Sequence, residues 1–238
     1  MTPVVSRELV VNPQPASGLP PSLRGNRRVQ PGPAIYRALT GGDPAQAETK
    51  NDVRFDRHVL ASILAVAATE GDAVAGQAGL SGEQLTTLVS GWFPGAYNFA
   101  VTWRGGVEPL DDEAAMVRDL LLANRSTAGD VGRWLAAMIA RRAMEPNHLW
   151  EDLGLRDRSE LSRLLTRHFA PLASRNTRNM RWKRFFYRML CEDDGFVMCT
   201  TPICTQCNDF DLCFGDESGE SRMADRRRAV SLQAAARG

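Results

Sequence analysis

All five cysteines of this chain fall within 23 positions near its C-terminus, in the stretch MLCEDDGFVMCTTPICTQCNDFDLCFGDE. Four of them, Cys199, Cys204, Cys207 and Cys213, are spaced C-x4-C-x2-C-x5-C, and Cys191 lies eight positions before the first. Thiolates are the ligands that thiophilic transition metals prefer. The clustering therefore predicts a metal-binding loop.

The spacing favours an iron–sulfur cluster over zinc. Structural zinc sites use two close ligand pairs or cysteine combined with histidine, whereas this segment has a single C-x2-C pair and no histidine. The C-x4-C-x2-C run resembles the loop that wraps the cluster of plant-type ferredoxins. Disulfides are the weakest alternative, because the cysteine count is odd and the chain begins with no recognisable signal peptide.

Three further residues are candidates to complete such a site. Cys191 is either a fifth ligand or a thiol at the end of the helix predicted for WKRFFYRML. His148 and His168 could each supply an imidazole to a metal corner that the thiolates leave open. The alternative for both histidines is a partly buried, hydrogen-bonded structural role.

Charge is divided unevenly before and after Cys191. Residues 156–190 hold ten lysines and arginines against two acids, and residues 191–220 hold eight acids and no base. One interpretation is that the two blocks neutralise each other as an ion-paired surface. The other is that a positive face attracts an oxyanion towards the thiolates; its residues would be Arg181, Lys183, Arg184 and Arg188.

Composition indicates a protein with a packed core. The 238 residues are 43% hydrophobic and 24% charged, and the net charge is +1. This balance does not favour nucleic acid as a partner, and no apolar run approaches the roughly 20 residues that span a bilayer. We therefore expect a cytoplasmic protein with neither nucleic acid nor membrane as partner.

Helical periodicity predicts an all-α fold. Residues 1–50 are rich in proline and glycine and are expected to be a disordered tail with a short helix at 34–40. Residues 51–190 form the predicted helical domain, residues 191–217 the cysteine-rich loop, and residues 218–238 a polar tail. In the first long helix, Val59, Leu60, Ile63, Leu64 and Val66 share an apolar face.

A faint internal repeat lies within the helical domain. LASILAVAATEGDAVAGQAGL (60–80) aligns with LAAMIARRAMEPNHLWEDLGL (135–155) at a shift of 75, and one inserted residue later Leu85, Leu88 and Phe93 align with Leu161, Leu164 and Phe169. The pattern predicts a bundle of two related helical hairpins followed by the metal-binding loop. Chance similarity between helices rich in alanine and leucine is the alternative.

Four stretches carry a family resemblance. They are NHLWEDLGL (147–155), LLTRHFAPLASRN (164–176), MRWKRFFYRMLCE (180–192) and CTTPICTQCNDFDLCFGDE (199–217). Together they resemble the NifQ family of nitrogen-fixation proteins, with weaker likeness back to about residue 50. One departure is HFAPL, where the family would place proline directly after phenylalanine.

The resemblance implies a function as well as a cofactor. It implies an iron–sulfur cluster that contains molybdenum, and a role as molybdenum donor for the iron–molybdenum cofactor of nitrogenase. It implies molybdate as the source of the metal and delivery to the NifEN scaffold working with the NifH protein, without a catalytic reaction. Because a closed thiolate cage would resist release, we expect one exchangeable ligand, with His148, His168 and Cys191 as candidates.

Two other functions remain compatible with the residues. A simple iron–sulfur electron carrier would need the same thiolates but no molybdenum. A zinc-stabilised helical protein that binds nucleic acid through its arginine block would show salt-dependent affinity.

Overall fold

Helices form the regular structure of the part of the chain that the structure describes. In the computed structural model these are residues 32–71, 73–100, 103 and 111–193, and no β-strand occurs among them. Single-turn 3-10 helices lie at Pro44–Gln46 and Pro94–Ala96. The α-helices are α1 (Gly32–Thr40), α2 (Asp52–Ala67), α3 (Val74–Gln77), α4 (Gly82–Trp92), α5 (Tyr97–Ala100), α6 (Asp112–Ala123), α7 (Asp130–Ala143), α8 (Leu149–Asp152), α9 (Arg158–His168), α10 (Ala170–Ala173) and α11 (Trp182–Asp193).

The all-α prediction is confirmed for these residues. The predicted cysteine-rich loop beyond Asp193, the polar tail 218–238 and residues 1–31 of the predicted N-terminal tail lie outside them.

Short polar side chains cap the first turn of several helices. The Ser81 hydroxyl accepts from the Gln84 N–H at 3.1 Å, and the Gln84 side chain accepts from the Ser81 N–H at 2.9 Å, which completes a capping box. The Asp111 carboxylate accepts from the Ala114 N–H at 2.7 Å at the start of α6. Each such cap stabilises its helix by about 1 kcal/mol.

Two helices, α2 and α7, lie at the centre of the core and contact each other. In α2 the predicted apolar residues Val59, Leu60, Ile63 and Leu64 have no exposed surface, whereas Val66 is half-buried. Burial of each such side chain contributes roughly 1.5–3 kcal/mol. None of the helices in the described residues has the length and apolar character that crossing a bilayer requires.

Packed structure is already present at Gly32–Thr40, inside the predicted N-terminal tail. The predicted short helix is present as α1, which packs against α2. Its Ile35, Tyr36 and Leu39 are each at most 4% exposed. The spacing of these three residues gives one apolar stripe on an otherwise proline- and glycine-rich stretch, and this stripe packs the short helix onto the core.

The predicted repeat appears as two units with the same order of elements. The first unit comprises α2, α3 and α4, and the second comprises α7, α8 and α9. The shift is 75 positions from α3 to α8 and 76 from α4 to α9, as the inserted residue requires. Phe93 and Phe169 follow the last helix of each unit with nearly the same backbone angles, φ −135° and ψ 54° against φ −138° and ψ 46°.

Equivalent glycines bring the two units into close contact. Gly79 and Gly154 have φ of 70° and 68°, in the left-handed region that favours glycine. A Cβ atom on Gly79 would lie 2.6 Å from the Ala137 carbonyl oxygen, and one on Gly154 would lie 2.9 Å from the Ser62 carbonyl oxygen. Because Ser62 aligns with Ala137, each unit inserts the same turn against the same point of the other.

We predict that Gly79→Ala lowers the free energy of unfolding by about 2 kcal/mol or more, because the new methyl group combines a clash with an unfavourable φ. Urea unfolding of the full chain measures the change. The matched control is Gly91→Ala in α4, where a Cβ atom meets nothing within 4 Å. The control should be neutral or stabilising by up to about 1 kcal/mol, and an equal loss in both variants would contradict the close packing.

Candidate metal centre

Helix α11 leads the chain into the cysteine segment. It carries Cys191, a half-buried free thiol, and ends two residues later at Asp193. Cys199, Cys204, Cys207 and Cys213 lie outside the described residues. Among residues 32–71, 73–100, 103 and 111–193, no group of three or more histidines, cysteines and carboxylates could hold a metal ion. The part of the chain that the structure describes therefore includes α11, which carries Cys191 and leads into the cysteine segment.

Aromatic packing fixes one side of α11. Trp182, Phe185, Phe186 and Met189 are each at most 5% exposed, at the helical spacing that the sequence shows. The Trp182 and Phe185 rings meet edge to face with centroids 5.6 Å apart. Such pairs add about 0.5–1.5 kcal/mol beyond the burial of their area. The charged residues of the helix lie on its other, more exposed side.

An ion pair between half-buried Lys183 and a buried carboxylate holds the first turn of α11. The Lys183 ammonium donates to Asp152 Oδ2 at 2.6 Å and also to the carbonyl oxygen of Glu145. Asp152 is 3% exposed, and its other oxygen accepts from Asn147 Nδ2 at 3.0 Å. Asp152 belongs to NHLWEDLGL and Lys183 to MRWKRFFYRMLCE, so two of the four family-like stretches meet at this contact.

Asp152 is also connected to the first unit, through Arg142. Arg142 is 1% exposed, and its Nε donates to the Asp152 carbonyl oxygen at 2.8 Å. Its two terminal nitrogens donate to the Glu70 carboxylate at 2.6 and 2.7 Å, the bidentate arrangement that arginine favours. One continuous chain of contacts thus runs from the end of α2 through α7 and α8 to α11.

The four residues predicted to attract an oxyanion do not form a uniform positive face. Lys183 neutralises Asp152, and Arg188 Nε donates to Glu192 Oε1 at 2.7 Å. Arg181 is half-buried. Arg184 is exposed and pairs with no carboxylate among the described residues. Of the four, Arg188 pairs with an acid of the block 191–220, as the ion-paired interpretation expects, whereas the partner of Lys183 lies before both blocks.

Both ring nitrogens of His168 have hydrogen-bonding partners. It is 1% exposed, Nε2 lies 2.9 Å from Asp56 Oδ1, and Nδ1 lies 2.8 Å from the Thr127 hydroxyl. Arg167 also donates to both oxygens of Asp56 at 2.9 Å. Burial alone would raise the pKa of Asp56, but the hydrogen bonds from His168 and Arg167 outweigh it and lower the pKa.

His148 occupies a different position, at the residue before α8. Its backbone N–H donates to Glu151 Oε2 at 3.2 Å, and the residue is half-buried. It precedes Asp152 by four residues, so it lies on the element that contacts the first turn of α11.

A second buried histidine forms a network that the sequence analysis did not single out. His58 is 2% exposed, its Nδ1 lies 2.9 Å from the Tyr36 hydroxyl, and its Nε2 lies 3.3 Å from Glu160 Oε2. Arg156 Nε donates to the other Glu160 oxygen at 2.7 Å. Because His58 and Glu160 are 102 positions apart, no local pattern could have paired them.

The charge state of this network is set by Glu160. Burial would raise the pKa of Glu160, but hydrogen bonds from His58 and Arg156 outweigh burial and lower it to about 2. The carboxylate is therefore ionised throughout the neutral range, and it faces one ring nitrogen of His58.

Comparison with known proteins identifies a family. The family model described as NifQ matches residues 59–215. "Protein NifQ homolog" of Sinorhizobium fredii (strain NBRC 101917 / NGR234) is 44% identical over 179 residues, which are 73% of this chain and 77% of the relative. "Protein NifQ" of Rhodobacter capsulatus is 42% identical over 140 residues, which are 58% and 76% of the two chains. "Protein NifQ" of Azotobacter vinelandii is 45% identical over 111 residues, which are 47% and 57%.

No solved structure matches this chain significantly.

Removal of the Lys183 charge should destabilise the folded chain. We predict that Lys183→Met lowers the free energy of unfolding by about 3 kcal/mol, because it leaves the buried Asp152 carboxylate without its charge partner. Adding Asp152→Asn should restore part of this loss. Denaturant unfolding measures both, with Arg184→Met on the exposed side of α11 as control, expected within about 0.5 kcal/mol of the parent. Equal stability of the Lys183 and Arg184 variants would contradict the assignment.

The depressed pKa of Glu160 predicts an acid-sensitive contribution to stability. The folded pKa of about 2 lies below the ordinary value of 4.5, so the contribution is complete above pH 4.5 and is lost as the pH falls towards 2. We expect the parent to lose more stability than Glu160→Gln between pH 6 and 3, by on the order of 2 kcal/mol. Urea unfolding at both pH values measures this difference, and identical losses would rule out the coupling.

Proposed function

Since the chain belongs to the NifQ family, whose name assigns it to nitrogen fixation, we propose that it takes up molybdenum derived from molybdate and donates it for the nitrogenase iron–molybdenum cofactor. The observation that carries this proposal is the extent of the family match. The match ends at residue 215 and so includes every cysteine from Cys191 to Cys213. The molybdenum is cargo here, and no catalytic residue is assigned.

The thiolates of Cys199, Cys204, Cys207 and Cys213 are the proposed ligands of an iron–sulfur cluster that contains molybdenum. Soft thiolates suit iron–sulfur clusters, and the sulfide of a cluster gives molybdenum a soft environment in place of the hard oxygens of molybdate. The single short segment that supplies them can be loaded and emptied as a unit. Metal binding to such a segment contributes directly to its folding.

Among the three candidates for an exchangeable ligand, the contacts favour Cys191. It is a free thiol on the last turn of α11, next to the cysteine segment. His148 ranks second, because it is only half-buried and directly precedes α8, which contacts the first turn of α11. His168 ranks last, because coordination would break a buried hydrogen bond to Asp56 or to Thr127.

The anchoring of α11 supports a role in transfer. Lys183, Asp152 and the buried aromatic residues hold this helix through contacts in which no described cysteine takes part. The helical domain can therefore remain folded while the cysteine segment gains or loses its metals. We propose that this rigid base presents the segment to the NifEN scaffold and the NifH protein in the cytoplasm.

Reconstitution tests the proposal. The full chain, incubated anaerobically with ferrous iron, sulfide and molybdate and then desalted, should retain both iron and molybdenum when analysed by mass spectrometry. Cys207→Ser should lose most of both metals, because it removes a proposed cluster ligand. Cys191→Ser should keep the iron but show a lower ratio of molybdenum to iron, and His148→Gln should match the parent.

Several outcomes would count against the proposal. Retention of zinc alone would contradict it, and iron without molybdenum in the parent would favour the electron carrier. Salt-dependent binding of DNA or RNA by a zinc-loaded protein would favour the nucleic-acid alternative. Transfer is tested separately by mixing the loaded protein with NifEN and NifH and measuring the molybdenum that moves to the scaffold.

A further inference from the structure

A cleft of about 320 Å³ opens between α1, the 3-10 turn at Pro44–Gln46 and the first half of α2. Tyr36 and His58, both almost fully buried, form part of its wall. It is lined by no residue of α11. The described residues that line it belong to α1, to the loop and turn that follow α1, and to the first half of α2.

The charges around the cleft leave one arginine uncompensated. Asp43 and Glu48 line the cleft, and each pairs with an arginine, Arg37 and Arg54 respectively. Arg57 also lines it and pairs with no carboxylate in the part of the chain that the structure describes. The local balance of these five side chains is one positive charge.

Arg57 is nevertheless held in a fixed position. Its Nε donates to the Trp92 carbonyl oxygen at 3.3 Å, and its Nη2 lies 3.5 Å from the Thr40 carbonyl oxygen. The guanidinium carbon lies 5.5 Å from the centre of the Phe93 ring. A guanidinium has five N–H donors, so these contacts leave further donors for a ligand.

A hydroxyl group in the same wall is oriented by the buried histidine. The Tyr36 hydroxyl, His58 and Glu160 form a continuous series of hydrogen-bonded groups, with separations of 2.9 and 3.3 Å. These contacts hold the Tyr36 hydroxyl at one place in the wall of the cleft.

We propose that this cleft binds a small tetrahedral oxyanion, with Arg57 as its charge partner and hydrogen-bond donor and with Tyr36 as a second polar residue of the wall. The planar donor set of arginine suits tetrahedral oxyanions. Choosing molybdate among such anions rests on the proposed function, whereas the existence of the site does not. The uptake site for the anion would then lie on the face formed by α1 and α2, and the thiolates would act in a later step.

Titration of the cluster-free full chain with sodium molybdate, followed by calorimetry, tests the proposal. We expect saturable binding to the parent, weakened about tenfold or more by Arg57→Gln, since one charged hydrogen-bonding partner contributes 1.5–3 kcal/mol. Tyr36→Phe should weaken binding by a smaller factor. Arg133→Gln is the matched control, because it removes the same charge from an exposed arginine of α7 outside the cleft. Circular dichroism of each variant confirms that it is folded.

Equal molybdate affinity in the parent and in Arg57→Gln would overturn the proposal, as would an equal loss in Arg133→Gln. Parallel titrations with sulfate and phosphate decide between anions. Binding of either one in preference to molybdate, with the same dependence on Arg57, would support the oxyanion site and remove molybdate as its ligand.

The two proposals fail in distinguishable ways. If the parent and Arg57→Gln retain equal iron and molybdenum after reconstitution and bind molybdate equally, the cleft proposal alone is wrong. If molybdate binding depends on Arg57 but reconstitution leaves no molybdenum on the protein, the donor function alone is wrong.

Discussion

The described helices depend on the buried carboxylate of Asp152. Its two oxygens accept from Lys183 and Asn147, and its backbone carbonyl accepts from Arg142, which also binds Glu70. A buried carboxylate without a cationic partner would be strongly unfavourable, so Asp152 can exist in this place only when α11 is docked. The helix that leads into the cysteines is therefore part of the folded core rather than an appendage to it.

Buried carboxylates also have partners at the interface between α2 and α9. Asp56 faces His168 across it, and His58 faces Glu160, so each helix contributes one acid and one imidazole. All four side chains are at most 8% exposed. Hydrogen-bonded pairs of this kind require one register between the two helices, because sliding either helix would leave a buried polar group without its partner. His58 belongs to the wall of the cleft, so the same register also fixes the position of this wall residue.

Much of the fold could be predicted from the sequence because the signals are local. The Ser81 cap, the apolar face of α2 and the repeat ending at Phe93 and Phe169 all depend on neighbouring residues. The ion pair of Lys183 and the partner of His58 could not be predicted, because 31 and 102 positions separate the contacting residues. The metal site remains a prediction from cysteine spacing alone, because the segment with its proposed thiolate ligands lies outside the described residues. The Arg57 cleft left no such pattern, because its polar wall is assembled from α1, α2 and the contact of α2 with α9.

The reciprocal insertion of Gly79 and Gly154 has an evolutionary consequence. When equivalent turns press against equivalent points, the arrangement has the form of a self-complementary contact between identical partners. A half-length ancestor with one such turn could have associated with its own copy as a homodimer, and gene fusion would then have joined the two copies. Fusion would free each copy to diverge, and the two units of the present chain differ in this way. Buried His58 and Arg57 of the cleft belong to the first unit. The ion pair that holds the cysteine-bearing helix uses Asp152 of the second unit.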